Sequence, residues 1–162
     1  MFRRIGTAAR IGAAIVFAVI ACHGGRAAAQ SAPSLAVGGE VHASLALTAA
    51  DLAVMPRASA AVTDDRGVKA TYDGVPVVEI LKRAGAPLGK ELRGSNMTMC
   101  VVAGGSDGYK AVYALAEFDP GFTDQVILVA DHRDGKALDS REGPLRIVVP
   151  GDKRHAAGSS VW

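Results

Sequence analysis

The chain has 162 residues, enough for one domain with a proper core and too few for two comfortable ones. Aromatic residues make up only 5% of it, so the core must be built from aliphatic strands and small residues. The formal charge of +2 is local: Arg3, Arg4, Arg10 and Arg26 lie in the first 29 residues, which hold no acid, and the remainder carries 14 basic against 16 acidic residues, a net −2. A domain of that charge has no electrostatic footprint for nucleic acid, which excludes it as a partner.

Residues 1–29 read as an export signal. Arg3, Arg4 and Arg10 form a positive start, Ile11 to Ala21 an apolar stretch, and Ala27-Ala28-Ala29 the small-residue pattern that signal peptidase accepts. The apolar run spans about 16 Å as a helix against a bilayer core of about 30 Å, so no permanent membrane span is expected. Two endings of this segment stand side by side. Cleavage after Ala29 gives a soluble periplasmic protein, the favoured reading; Val19-Ile20-Ala21-Cys22 also fits a lipobox, which would anchor a lipoprotein through Cys22. Arg3-Arg4 hints at the twin-arginine route. With Cys22 removed, Cys100 is the lone thiol, no internal disulfide can form, and its apolar surroundings read as those of a small buried hydrophobe.

Residues 30–34 form a short polar lead, and residues 35–162 read as a single domain. Leu35 to Val37 and Glu40 to Leu47 are expected as two strands around Gly38-Gly39. Thr48-Ala49-Ala50-Asp51 has the shape of a capping box and predicts a short helix stopping before Pro56. Ala58 to Thr63 and Val68 to Tyr72 read as strands joined by Asp64-Asp65-Arg66-Gly67. Asp73-Gly74 is predicted as a further turn, with Pro76 in the first turn of a helix. Val77, Ile80, Leu81 and Ala84 share one face of that helix, Lys82 and Arg83 suit its C-terminal end, and Gly85 suits its cap.

Met97 to Ala103 and Tyr109 to Leu115 are expected as strands flanking a Gly-rich connection, with a helical turn over Glu117 to Pro120. Val126 to Ala130 and Leu145 to Val149 are unbroken aliphatic runs and read as central strands, with Asp134-Gly135 as the turn between them. The fold class is α+β, predominantly β, with a few short helices.

No Gly-x-Ser-x-Gly motif and no His pair at i, i+4 occurs, so the common hydrolase and zinc constellations are unsupported. His42, His132 and His155 read as surface or turn residues. Asp107 and Asp119, with Glu117 nearby, could be imagined as a carboxylate pair, but turn and cap roles suit both aspartates better.

Three phrases occur in a telling order: Tyr72-Asp73-Gly74-Val75-Pro76 running on to Gly85, then Asp107-Gly108-Tyr109 with Leu115-Ala116-Glu117-Phe118, then Gly143-Pro144-Leu145-Arg146 running on to Arg154. Together they resemble the molybdopterin-binding domain of the sulfite oxidase family, in a short stand-alone bacterial form, over roughly residues 35–154. The resemblance implies a sulfite oxidase-type fold with a mixed sheet core, and molybdopterin as the cofactor. In that family one cysteine ligates the metal, just before the strand leading into the Gly-Val-Pro helix. Here the stretch reads Ala61-Val62-Thr63-Asp64-Asp65-Arg66-Gly67, with no thiol; Asp64 or Thr63 could offer only an oxygen.

The family also holds the cofactor's phosphate with a basic residue in a phrase of the form Arg-Ser-Val-Lys. Ser160-Val161 matches its centre, Trp162 stands where the base would be, and the strand that follows in the family is absent, which reads as a C-terminal shortening. Lys153, Arg154 and Ser160 are thus the cofactor-binding candidates, with a solvated loop as the alternative role of Lys153 and Arg154. No metal ligand is assigned. The expected function is an exported, non-catalytic ligand-binding or accessory module; the alternative is a molybdopterin-dependent periplasmic oxidoreductase with an atypical ligand. Its expected partners are a small anionic ligand or a periplasmic redox protein, and an exposed sheet edge would pair with another chain.

Overall fold

The computed structural model describes residues 35–63, 67–106, 108–139 and 141–152, all within the compact unit Ser31–Trp162. Strand β1 (Leu35–Val37) pairs antiparallel with β2 (Leu45–Leu47), Leu35 opposite Leu47. The second strand is shorter than its apolar pattern suggests. Gly39 takes φ 100°, and the Ala43 N–H donates to the Ala84 carbonyl at 3.0 Å, so residues 38–44 are tied to a helix end and not to a strand partner.

Helix α1 (Ala49–Ala53) begins as expected: the Asp51 N–H donates to Thr48 Oγ1 at 3.2 Å, and the Thr48 N–H donates back to Asp51 Oδ2 at 2.8 Å. It ends before Pro56 and buries Leu52. Strand β3 (Ala58–Thr63) pairs with β4 (Lys69–Pro76), which runs four residues beyond the predicted Tyr72. The expected turn at Asp73-Gly74 is therefore sheet. Gly74 is required for a different reason: a Cβ on it would run into the Val129 carbonyl and the Ala130 Cα of the neighbouring strand.

Helix α2 (Val77–Ala84) buries Val77, Ile80, Leu81 and Ala84, the predicted face. Pro76 ends β4 one residue before it, and the helix stops in a Schellman cap: Gly85 sits at φ 74°, its N–H donating to Lys82, while the Ala86 N–H donates to Leu81. A 3₁₀ turn over Gly94–Thr98 takes Met97 and Thr98 out of the predicted strand. Strands β5 (Cys100–Gly104) and β6 (Lys110–Ala114) then form an antiparallel hairpin. The helical turn expected from Glu117 begins two residues earlier, over Leu115–Phe118, because the Glu117 carboxylate accepts from the Ala114 N–H at 2.7 Å and caps it there.

Strand β7 (Leu128–Arg133) turns at Asp134 (φ 49°) and Gly135 (φ 75°) into the short β8 (Lys136–Ala137). Strand β9 (Arg146–Val148) also pairs with β7, so the larger sheet runs β3-β4-β7-β8 with β9 attached to β7. Of the two aliphatic runs expected at the centre, only β7 is central; among the described residues β9 pairs with β7 alone. Its run is apolar on both sides because Ile147 packs into one cluster and Val148 into another. Every described strand pair is antiparallel, which corrects the mixed sheet. The long connection from β4 to β7 could serve either direction, and its length carries no sign of which. The fold is mostly β with two helices, and its principal core lies between the larger sheet, α2 and the two hairpins.

Candidate functional site

A cleft of about 550 Å³ opens over the principal core. Residues 35–41 line it along one run and residues 98–104 along another, while Val77, Ile80, Leu81, Leu115, Val129 and Ile147 form its apolar floor. Glu40 is the one charged residue among the described lining. Beside it lies a polar hollow of about 570 Å³, sharing Glu40 and Met99 and adding His42, Glu91, Arg93 and Asn96.

Cys100 lies on the wall of the cleft and is exposed, which overturns the buried position read from its neighbours. The run around it is apolar, but β5 belongs to a two-stranded hairpin with one face toward the core and one toward solvent. Val101 and Ala103 pack inward, whereas Cys100 and Val102 face out.

A second constellation sits on β7. Opposite β4 the register jumps from Asp73↔His132 to Gly74↔Ala130, leaving Asp131 as an extra residue in a bulge. The bulge brings consecutive side chains together: His132 Nδ1 lies 2.7 Å from Asp131 Oδ1. Arg57 grips the same carboxylate with both nitrogens, at 3.0 and 2.5 Å. Burial pushes the Asp131 carboxyl up, but the hydrogen bonds from Arg57 and His132 outweigh it and leave the pKa below its ordinary value. Ser59 Oγ donates to Asp73 Oδ1 at 2.5 Å in the same cross-strand row. His132 is thus a surface residue, as expected, with its side chain 44% exposed, but it is one with a fixed orientation.

A third cluster joins the first and last of the three sequence phrases. The guanidinium groups of Arg133 and Arg146 each stand 5.7 Å from the centre of the Tyr72 ring. Glu142 Oε1 accepts from Arg133 at 2.7 Å and from Arg146 at 3.0 Å. Their charge is turned inward on a carboxylate, so the cluster reads as a structural clasp on the sheet. Asp119 is also structural: it is buried, accepts from the Gly121 N–H at 2.8 Å and accepts from the Gly89 N–H as well. That is the turn and cap role expected of it.

Lys153, Arg154 and Ser160, the cofactor-binding candidates, lie outside the described residues, as do Cys22, Asp64, Asp107, His155 and the whole of residues 1–34. Thr63 ends β3 with its side chain exposed. Sequence reasoning missed the Arg57–Asp131–His132 cluster altogether; its members are 74 residues apart and meet only through a bulge.

A molybdopterin would bring a terminal phosphate and a soft-ligated metal, and so calls for converging cations and a thiolate. The described cleft offers one acid and no cation, and the adjoining hollow sets a single arginine against two carboxylates. Cys100 supplies the one described thiol. Among the described residues no three of His, Cys, Asp and Glu gather as a metal site. These residues do not fit the phosphate of the group.

Comparison with known proteins gives one family. The model of the oxidoreductase molybdopterin binding domain matches residues 23–154. No curated protein gives a match to the chain. The family match takes in most of the sequence, and the chain belongs to that family.

Proposed function

We propose that this family member is an exported module that keeps a sulfite oxidase-type fold and uses it to bind a partner or ligand, without oxidase catalysis. The observation that carries this reading is the donor set. The stretch from Ala61 to Gly67, where the family's metal-ligating cysteine is expected, holds no thiol, and its first three residues end β3. The cleft over the core is aliphatic and carries an acid where an anionic cofactor needs a base. The positive start and Ala-rich end of residues 1–29 support delivery to the periplasm. Lys153 and Arg154 remain the residues to hold an anion if one is bound.

The exposure of Cys100 on the cleft wall favours a second reading, a molybdenum oxidoreductase whose ligand has moved to β5. Elemental analysis of the protein purified from a molybdenum-replete periplasm separates the two. The accessory module is expected to carry no stoichiometric molybdenum and no pterin fluorescence after oxidation. Stoichiometric metal that disappears in Cys100→Ala would establish the second reading and end the first.

A further inference from the structure

The cleft has the construction of a strand acceptor. Among the described residues β1 pairs with β2 alone and β5 with β6 alone. Among those residues each strand thus keeps one row of backbone N–H and C=O groups outside the described ladders, and such groups are strong hydrogen-bonding sites. Both runs, residues 35–41 and residues 98–104, line the same cleft. Between them lies an aliphatic floor that includes Val77, Ile80 and Leu81. A small apolar molecule would satisfy the floor and leave both edges unpaired; an anion would meet Glu40. An extended peptide answers all three features. Its backbone pairs with the edges, alternate aliphatic side chains face the floor, and a basic residue meets the carboxylate at the rim.

We propose that this cleft accepts one extended strand of a partner polypeptide, aliphatic at alternate positions and basic at one end, which joins the β1–β2 and β5–β6 hairpins into a single sheet. The five residues of β5 give about 16 Å of edge, enough for a short strand and not for a folded domain. The inference rests on the accessory-module reading and supplies its partner class.

The probe is a synthetic hexapeptide of alternating valine and threonine with a lysine at one terminus, added to the exported protein. Hydrogen exchange is expected to slow at the amides of Leu35–Val37 and Cys100–Gly104, with alkylation of Cys100 slowed in parallel. A peptide N-methylated at alternate amides keeps the side chains and should not bind. Glu40→Lys, a change at an exposed position, should weaken the lysine peptide by about tenfold and leave the melting temperature unaltered. The proposal is overturned by unchanged exchange at saturating peptide, or by equal binding of the N-methylated peptide. It is also overturned if a chain ending at Asp152 binds the peptide while the full chain does not, since residues 153–162 would then be the occupant. Dimerisation that protects the same amides would make a second copy the occupant and overturn it too. Stoichiometric molybdenum would end the accessory reading without touching these exchange measurements, so the two can fail separately.

Discussion

The larger sheet and the two hairpins enclose one core, yet they treat their strand edges differently. In the sheet, β4 is paired along both sides, by β3 and by β7, and the Arg57–Asp131 contact fastens residues distant in sequence. Among the described residues each strand of β1–β2 and β5–β6 has one partner, and the cleft beside them is floored by aliphatic side chains. Strands paired on more than one side, β4 and β7, belong to the sheet; among the described residues no hairpin strand is paired on both sides. The difference teaches where to look for stability and where to look for binding, since regions that recognise a partner must keep groups unsatisfied until it arrives.

The largest effect should come from the floor the two regions share. Leu81→Ala removes a side chain that is 6% exposed and should cost about 2–5 kcal/mol in denaturant unfolding. A loss under about 1 kcal/mol would show that α2 is not the common support. Next, Gly74→Ala puts a methyl group against the backbone of β7 and should cost about 1–3 kcal/mol, while the same change at the open Gly104 of β5 should be far milder. Equal losses would erase the distinction between a closed and an open strand.

Asp131 gives a pH test confined to the sheet. Its pKa is lowered from the ordinary 3.8, so its ion pair contributes stability above about pH 4 that is lost as pH falls through the folded value. Asp131→Asn should lower stability at pH 7 by about 1 kcal/mol, a partly exposed pair being worth no more, and the gap to the parent should close in stronger acid. A gap that persists at pH 2 would assign the loss to packing. The smallest effects belong to exposed positions. Cys100→Ala and Lys82→Ala should each change stability by less than about 0.5 kcal/mol, and the Cys100 thiol should react with an alkylating reagent in the folded protein. Labelling only after unfolding would return Cys100 to the core.

Much of the fold could be read from local chemistry, because α1 and α2 are specified by contacts within a few residues: a hydroxyl and a carboxylate three apart, an apolar face, a glycine in a left-handed cap. Asp73-Gly74 misled because a glycine demanded by a turn and one demanded by a neighbouring backbone look the same in sequence. Cys100 misled because an unbroken apolar run implies two buried faces only when layers cover both, and β5 has solvent on one. The cleft was not legible at all. Among the described residues β1 and β5 each have a single pairing partner, and such partners are not written into either strand. The candidate residues Lys153, Arg154 and Ser160 stay where the sequence left them, beyond Asp152.

The extra residue at Asp131 changes the phase of β7. Upstream of it Leu128 and Ala130 face the same side of the sheet; downstream, that side is taken by Arg133, opposite Tyr72. A regular strand would have given the place to His132. Substituting Asp131 and deleting it are therefore different experiments. Substitution removes a carboxylate and keeps the alternation. Deletion would take out the extra residue itself and leave a regular strand in which His132 still opposes Asp73 and Arg133 still opposes Tyr72, so the Asp134-Gly135 turn stays beside the Thr71 N–H, which donates to Asp134 at 2.8 Å. A single codon lost there would remove the bulge and the hold of Arg57 on the strand while keeping the register of every residue that remains.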